Sequence, residues 1–88
     1  MDFPKLNKSD KMKEKCYCTS DLSLAAYLLV KGFPLSGIRR VSSTKASFEF
    51  EDSRDREEEV LQFFNRNRFV EPLAYWESVK ILKAMIYN

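Results

Sequence analysis

The chain has 88 residues, of which 44% are hydrophobic and 32% are charged, values typical of one soluble globular domain. The formal net charge of +2 is too small to indicate nucleic-acid binding by itself. No apolar run reaches the roughly 18 residues that suggest a membrane span, and the N-terminus lacks the apolar core of a signal peptide. We therefore expect a protein of the cytoplasm, in a cell or in a virus-infected cell.

The first segment, residues 1–14, is polar and rich in lysine. This composition predicts a flexible arm that is either a tail without a role or a cationic segment that contacts phosphate or an acidic partner. Residues 15–88 are expected to form a single α+β domain.

Residues 15–19 predict a short strand that contains both cysteines of the chain. In an extended strand Cys16 and Cys18 share one face, which we expect to be the core face, while Tyr17 points outward or towards a neighbouring element. A disulfide between the two would be strained, so we expect thiols. Two thiolates cannot complete a structural zinc site, which needs four ligands, and the chain has no histidine.

The next segment is the most hydrophobic of the chain and predicts a helix over residues 21–31 that ends at Gly32. A helix that is apolar on most sides is normally buried on most sides. The plain interpretation is a core helix. The alternative is that Leu24, Tyr27 and Leu28 form a partner-binding face.

Two strands follow this helix. Residues 35–41 predict the second strand, with a bulge at Gly37, and Arg39 and Arg40 place one guanidinium on each face. Residues 45–51 alternate strictly between apolar and polar side chains and give the clearest strand of the chain. We therefore place this third strand in the centre of the sheet.

Two helices complete the chain. Residues 54–66 predict an acidic helix, because carboxylates crowd its first half, where the helix dipole favours negative charge. Pro72 fits the first turn of a last helix over residues 73–86. The order β-α-β-β-α-α predicts an α+β two-layer sandwich, in which a small three-stranded, mostly antiparallel sheet carries the helices on one face.

No pattern of catalytic residues is recognisable. The carboxylates are explained by a helix start, a cysteine nucleophile would lack a histidine base, and there is no glycine-rich phosphate loop. We therefore expect a binding protein and not an enzyme, with no metal, no cofactor and no small-molecule substrate.

The favoured hypothesis is a protein-interaction module that forms a homodimer or binds a host factor. Aromatic residues and methionine are enriched in interface cores. The candidate interface residues are Leu24, Tyr27, Leu28, Trp76, Ile81 and Met85.

The alternative hypothesis is a nucleic-acid-binding module that uses a basic and aromatic sheet face together with the N-terminal arm. Glu49 and Glu51 count against it, because they lie on the central strand and repel phosphate. The candidate contacts are Tyr17, Arg39, Arg40, Lys45, Arg66 and Arg68.

Six short strings are also distinctive as a set: TSDLSLAAYL at 19–28, KG at 31–32, GI at 37–38, FEFED at 48–52, PLAY at 72–75 and IYN at 86–88. Over about residues 16–88 the chain resembles a family of small uncharacterised proteins, catalogued as a domain of unknown function in bacteria, archaea and their phages or mobile elements. The resemblance implies a phage- or mobile-element-associated protein in the cytoplasm of a prokaryotic or phage-infected cell. It implies no catalytic or ligand-binding residue.

Overall fold

The elements follow one another in the order β-α-β-β-α-α over residues 16–87, which are the residues that the computed structural model describes. They are β1 (Cys16–Thr19), α1 (Leu22–Val30), β2 (Leu35–Arg40), β3 (Ala46–Glu51), α2 (Arg56–Phe64) and α3 (Pro72–Tyr87). The predicted α+β class and element order are confirmed. The arm predicted over residues 1–14 lies outside the described residues.

The sheet has the strand order β1-β3-β2, and both outer strands run antiparallel to β3. The central position predicted for β3 is therefore confirmed. Its side chains at Ala46, Phe48 and Phe50 are buried, while the polar residues between them lie on the opposite, open face. This strict alternation leaves only one way for the strand to bury its phenylalanines.

A bulge in β2 lies between Leu35 and Gly37, as predicted. Leu35 lies opposite Phe50 and Ile38 lies opposite Phe48, so the bulge brings two residues that are three apart onto one face. Without it, one of these two apolar side chains would point to the open face.

The predicted orientation of β1 is wrong. Cys16 and Cys18 are exposed, whereas Tyr17 lies opposite Phe50 and packs against the core. The strand lies opposite β3 in a register that turns the large ring inward, and burying a tyrosine ring removes far more apolar surface from water than burying a thiol. Because side chains alternate along a strand, this one choice puts both cysteines on the open face.

An arginine from α2 covers the Tyr17 ring. The Arg56 guanidinium lies 4.2 Å from the ring centroid, and Asp52 holds it through two hydrogen bonds of 2.9 and 3.2 Å. The start of α2 is thereby attached to the β1 edge of the sheet.

Helix α1 forms the interior of the molecule. Leu24, Tyr27 and Leu28 are 1%, 2% and 0% exposed and pack with Phe48 and Phe50 of the sheet. The alternative reading of these three residues as a partner-binding face is therefore wrong, because the described residues of the chain already cover them.

Both ends of α1 are closed by local hydrogen bonds. The Asp21 carboxylate caps the first turn by accepting from the backbone N–H groups of Ser23 and Leu24, at 3.0 and 3.3 Å. At the other end Gly32 adopts a φ of 96°, which glycine tolerates without strain. Its position just past the helix confirms the predicted stop.

The last helix, α3, packs against α1 through Ser78, Val79 and Leu82, which are buried. The Glu71 carboxylate caps its start by accepting from the backbone N–H groups of Leu73 and Ala74, at 3.0 and 2.7 Å. At its other end, one of the carbonyls that lack a partner within the helix accepts a hydrogen bond, because the Arg40 side chain donates to the carbonyl oxygen of Ile86.

Candidate functional site

The structure disperses the residues that were predicted to contact nucleic acid. Tyr17 lies on the helix-covered face of the sheet, and Arg40 is hydrogen-bonded at the end of α3. Lys45 lies in the turn between β2 and β3, and Arg39 lies on the open face, where it pairs with Glu49 at 2.9 Å. A basic and aromatic sheet face built from these residues is therefore not present, and that part of the prediction is wrong.

Within residues 16–87 the open face carries no aromatic side chain and more carboxylates than guanidinium groups. It is therefore a poor surface for stacking bases or for neutralising phosphate. The register places there Cys16, Cys18, Gly37, Arg39, Ser47, Glu49 and Glu51.

The remaining candidate interface residues do not form one surface. Trp76, Ile81 and Met85 are 52%, 53% and 50% exposed. With 3.6 residues per turn, Met85 lies about 40° around α3 from Ile81, whereas Trp76 lies about 140° from Ile81 on the other side. Only Ile81 and Met85 are neighbours on this helix.

Exposed aromatic and basic side chains are combined in a cleft of about 520 Å³ beyond the end of α2. We name it the phenylalanine cleft, and its lining residues are Ser23, Phe63, Phe64, Arg66, Arg68 and Phe69. Of the residues predicted to bind nucleic acid, it brings together Arg66 and Arg68. Of the predicted interface residues it contains none.

Two phenylalanines give the cleft its apolar surface. Phe64 is 56% exposed and Phe69 is 88% exposed. Neither side chain is among the residues that the sequence predicted to bind protein or nucleic acid. The adjacency of Phe63 and Phe64 was the available signal, because neighbours on a helix point about 100° apart, so a helix that packs on one side buries one of them more than the other.

Phe63 forms the inner wall of the cleft. Its ring packs on that of Tyr27, with centroids 4.9 Å apart, and on that of Phe64 at 5.2 Å in an edge-to-face arrangement. Such aromatic pairs are favourable beyond the area that they bury. Phe63 therefore joins the core to the cleft, and Phe64 is held in place on its outer side.

A hydrogen-bonded group of three residues supports this wall from behind. The buried Tyr27 hydroxyl donates to the Glu59 carboxylate, and the Arg68 Nε donates to Glu59 Oε1 at 3.1 Å. The Tyr27 hydrogen bond, followed by the one from Arg68, lowers the pKa of Glu59. The same carboxylate raises the pKa of the Arg68 guanidinium. Arg68 is therefore neutralised within the chain.

The free energy of unfolding is expected to depend on pH because Tyr27 is buried and hydrogen-bonded to Glu59. Burial, followed by the hydrogen bond to Glu59, raises the pKa of Tyr27 from 10.0 to about 12. As the pH rises, Tyr27 therefore loses its proton in the unfolded chain before it does so in the folded chain. The stabilisation that Tyr27 gives to the folded chain is complete below pH 10 and is lost as the pH rises towards 12. We expect the free energy of unfolding to fall by about 1.4 kcal/mol per pH unit between pH 10 and pH 12, measured by urea titration. Tyr27→Phe should unfold with a shallower pH slope, and equal slopes would contradict the assignment.

Arg66 closes the C-terminus of α2 in an unusual backbone conformation. Its φ is 61°, and it is the only residue other than glycine with a positive φ among residues 16–87. Its N–H donates to the carbonyl of Phe63 at 3.0 Å, and the N–H of Asn67 donates to that of Gln62 at 2.9 Å. This is the Schellman arrangement, in which glycine is the usual residue at the left-handed position.

The cleft offers binding groups and no catalytic set. Its lining contains two arginines, three phenylalanines and a serine, without a histidine, a cysteine or a carboxylate. Among residues 16–87 no three carboxylate or thiol side chains are grouped so that they could hold a metal ion. In the same part of the chain, no helix combines the length and apolarity needed to cross a membrane.

Comparison with known proteins identifies the family. The model of a family described as a domain of unknown function, DUF5659, matches residues 14–88. The chain belongs to the DUF5659 family. The match includes all six elements of the fold and the phenylalanine cleft, and the DUF5659 description names no activity. Comparisons with curated proteins and with solved structures found no match.

Proposed function

We propose that this DUF5659 protein is a small non-enzymatic protein-interaction module whose binding surface is the phenylalanine cleft. The observation that carries the proposal is the exposure of Phe64 and Phe69, at 56% and 88%, in the lining of one cleft. Exposed apolar patches of this kind mark interaction sites, and aromatic residues with arginine are enriched at the centres of interfaces. The partner is a second copy of the chain or a host factor.

The proposal keeps the setting that the sequence pattern implied. The protein acts in the cytoplasm of a prokaryotic or phage-infected cell and is associated with a phage or a mobile element. A small interaction module without a cofactor is suited to altering the activity of a host protein by occupying its surface.

Single-stranded nucleic acid is the second candidate ligand, because the cleft places exposed phenylalanines beside two arginines. Bases stack on aromatic rings, and guanidinium groups neutralise phosphates. Against it, Arg68 is already paired with Glu59, which leaves Arg66 as the one cation of the lining that is not neutralised within residues 16–87. Binding to a phosphate backbone normally draws on several cations at once, so the structure favours protein.

The test compares the full chain with two double variants. Phe64→Ala/Phe69→Ala removes the apolar surface of the cleft. Val41→Ala/Leu61→Ala is the matched control, because these side chains are 58% and 54% exposed but do not line the cleft. Light scattering gives the mass in solution, immobilised protein captures partners from host extract, and labelled single-stranded DNA and RNA are titrated at low and moderate salt.

We expect either a dimer or a captured protein that the cleft variant loses and the control variant retains. Self-association through the cleft appears as a dimer that becomes monomeric only in the cleft variant. A host factor appears as a protein captured by the wild type and the control alone. Equal behaviour of both variants contradicts the proposal. Nucleic-acid binding that weakens steeply with salt and is lost in Arg66→Ala would replace it with the second candidate.

A further inference from the structure

We infer that the phenylalanine cleft recognises a short peptide segment in which an apolar side chain stands next to a carboxylate. The apolar side chain packs on Phe64 and Phe69, and the carboxylate pairs with Arg66. The inference rests on the proposed function and adds to it the chemistry of the partner. It comes from two observations at Arg66, one on its backbone and one on its charge.

The backbone observation is a comparison of two helix ends within the chain. Helix α1 ends with Gly32 N–H donating to Leu29 at 3.1 Å and Phe33 N–H donating to Leu28 at 3.0 Å, so both α1 and α2 end in the same motif. In α1 the left-handed position is filled by glycine, and in α2 it is filled by Arg66.

A left-handed conformation costs a residue with a Cβ atom more than it costs glycine. Arg66 therefore occupies a position where glycine suits the fold better, and its side chain makes no hydrogen bond or ion pair within residues 16–87 that would offset this cost. Local conflicts of this kind are expected at functional sites. The side chain lines the cleft, so the role that remains for it is to contact a ligand.

The charge observation concerns the two arginines of the cleft. Arg68 forms an ion pair with Glu59, in which Nε lies 3.1 Å from Oε1, whereas Arg66 is exposed. The lining contains no carboxylate, so the cleft holds one positive charge that is not neutralised within the described chain. A planar guanidinium matches a carboxylate through two parallel hydrogen bonds. One such cation beside phenylalanine rings fits one acidic residue beside an apolar one.

The test is an unbiased selection. The full-length protein is immobilised, and a displayed library of random twelve-residue peptides is selected on it, with the Phe64→Ala/Phe69→Ala protein used to remove peptides that bind elsewhere. We expect the selected peptides to share an aromatic or large aliphatic residue within two positions of Asp or Glu. The best peptide and a copy with that acid changed to its amide are then synthesised.

The affinities of both peptides are measured for the wild type, Arg66→Gly, Arg66→Ala and the control Arg54→Ala, whose side chain is exposed and lies outside the cleft. Loss of the Arg66 guanidinium should lower the affinity for the acidic peptide about tenfold. The acidic peptide should then bind no more tightly than its amide copy. Arg66→Gly should keep a thermal midpoint no lower than that of the wild type, because glycine suits the left-handed position. Its weaker binding then cannot be attributed to unfolding.

The outcomes separate this inference from the proposed function. Peptides that need Phe64 and Phe69 but bind acid and amide forms equally would overturn the carboxylate pairing and leave the interaction module intact. A selection in which no peptide depends on the cleft would overturn both. A shared basic motif in place of an acidic one would also overturn the inference.

Discussion

Replacing Phe50 with alanine is expected to lower the free energy of unfolding by about 3–5 kcal/mol. Phe50 is 0% exposed and lies in the central strand, opposite Tyr17 on one side and Leu35 on the other. Removing its ring takes away the apolar contacts that join all three strands to α1, and the strands cannot close around the cavity without breaking their register.

The size of this effect is large compared with the total stability. Natural domains unfold with about 5–15 kcal/mol, and a chain of 88 residues belongs to the lower part of that range. We therefore expect Phe50→Ala to be partly unfolded at room temperature, as measured by urea titration followed by circular dichroism.

Phe69→Ala is the matched control, since it makes the same chemical change at a side chain that is 88% exposed. We expect it to change the free energy of unfolding by less than about 0.5 kcal/mol. A similar loss in both variants would show that Phe69 is packed in solution, and it would contradict the cleft as described.

Glu59→Ala is expected to have the second largest effect on folding, a loss of about 2 kcal/mol. The variant leaves the Tyr27 hydroxyl without its acceptor, and Tyr27 is only 2% exposed, so water cannot easily replace the carboxylate. The ion pair between Glu59 and Arg68 adds little to the free energy of unfolding, because the Arg68 side chain is one-third exposed and salt screens the pair.

A double-mutant cycle isolates the hydrogen bond. Tyr27→Phe removes the donor and Glu59→Ala removes the acceptor, so the double variant leaves no buried hydroxyl unsatisfied. We expect it to be more stable than the sum of the two single losses predicts. Additive losses would show that the hydroxyl and the carboxylate are not bonded to each other in solution.

The Glu59 carboxylate is also expected to make the free energy of unfolding depend on pH in acid. Its pKa in the folded chain is lowered below the ordinary value of 4.5 by the hydrogen bonds from Tyr27 and Arg68. Its contribution to stability is therefore complete above pH 4.5 and is lost as the pH falls through the lower, folded value. The difference in unfolding free energy between the wild type and Glu59→Ala should shrink over that interval.

Much of the fold was predictable because its signals are local. The alternation from Ala46 to Phe50 settles which face of the central strand is buried, and Gly32 settles where the first helix ends. The bulge at Gly37 was predictable because a glycine inside a strand pattern is typical of a bulge. Each of these features depends on a few neighbouring residues and on backbone geometry alone.

The site was less predictable because it depends on distant contacts. Arg40 was expected on an exposed surface, but the end of α3 supplies a carbonyl that takes up its donor. Tyr17 was expected to point outward or towards a neighbouring element, but its ring packs against the core, where Arg56 of α2 covers it. Both errors have one cause, since each partner is at least 39 residues away along the chain and no local pattern indicates it.

The sequence by itself determined the order of the elements, the central place of β3 and the burial of α1, because periodicity and backbone preference act over a few residues. The tertiary structure alone decided which side of β1 faces the core, which arginines are already paired, and that Phe64 and Phe69 lie exposed in one cleft. These depend on how helices pack on the sheet, where each side chain competes with others far along the chain for a limited interior.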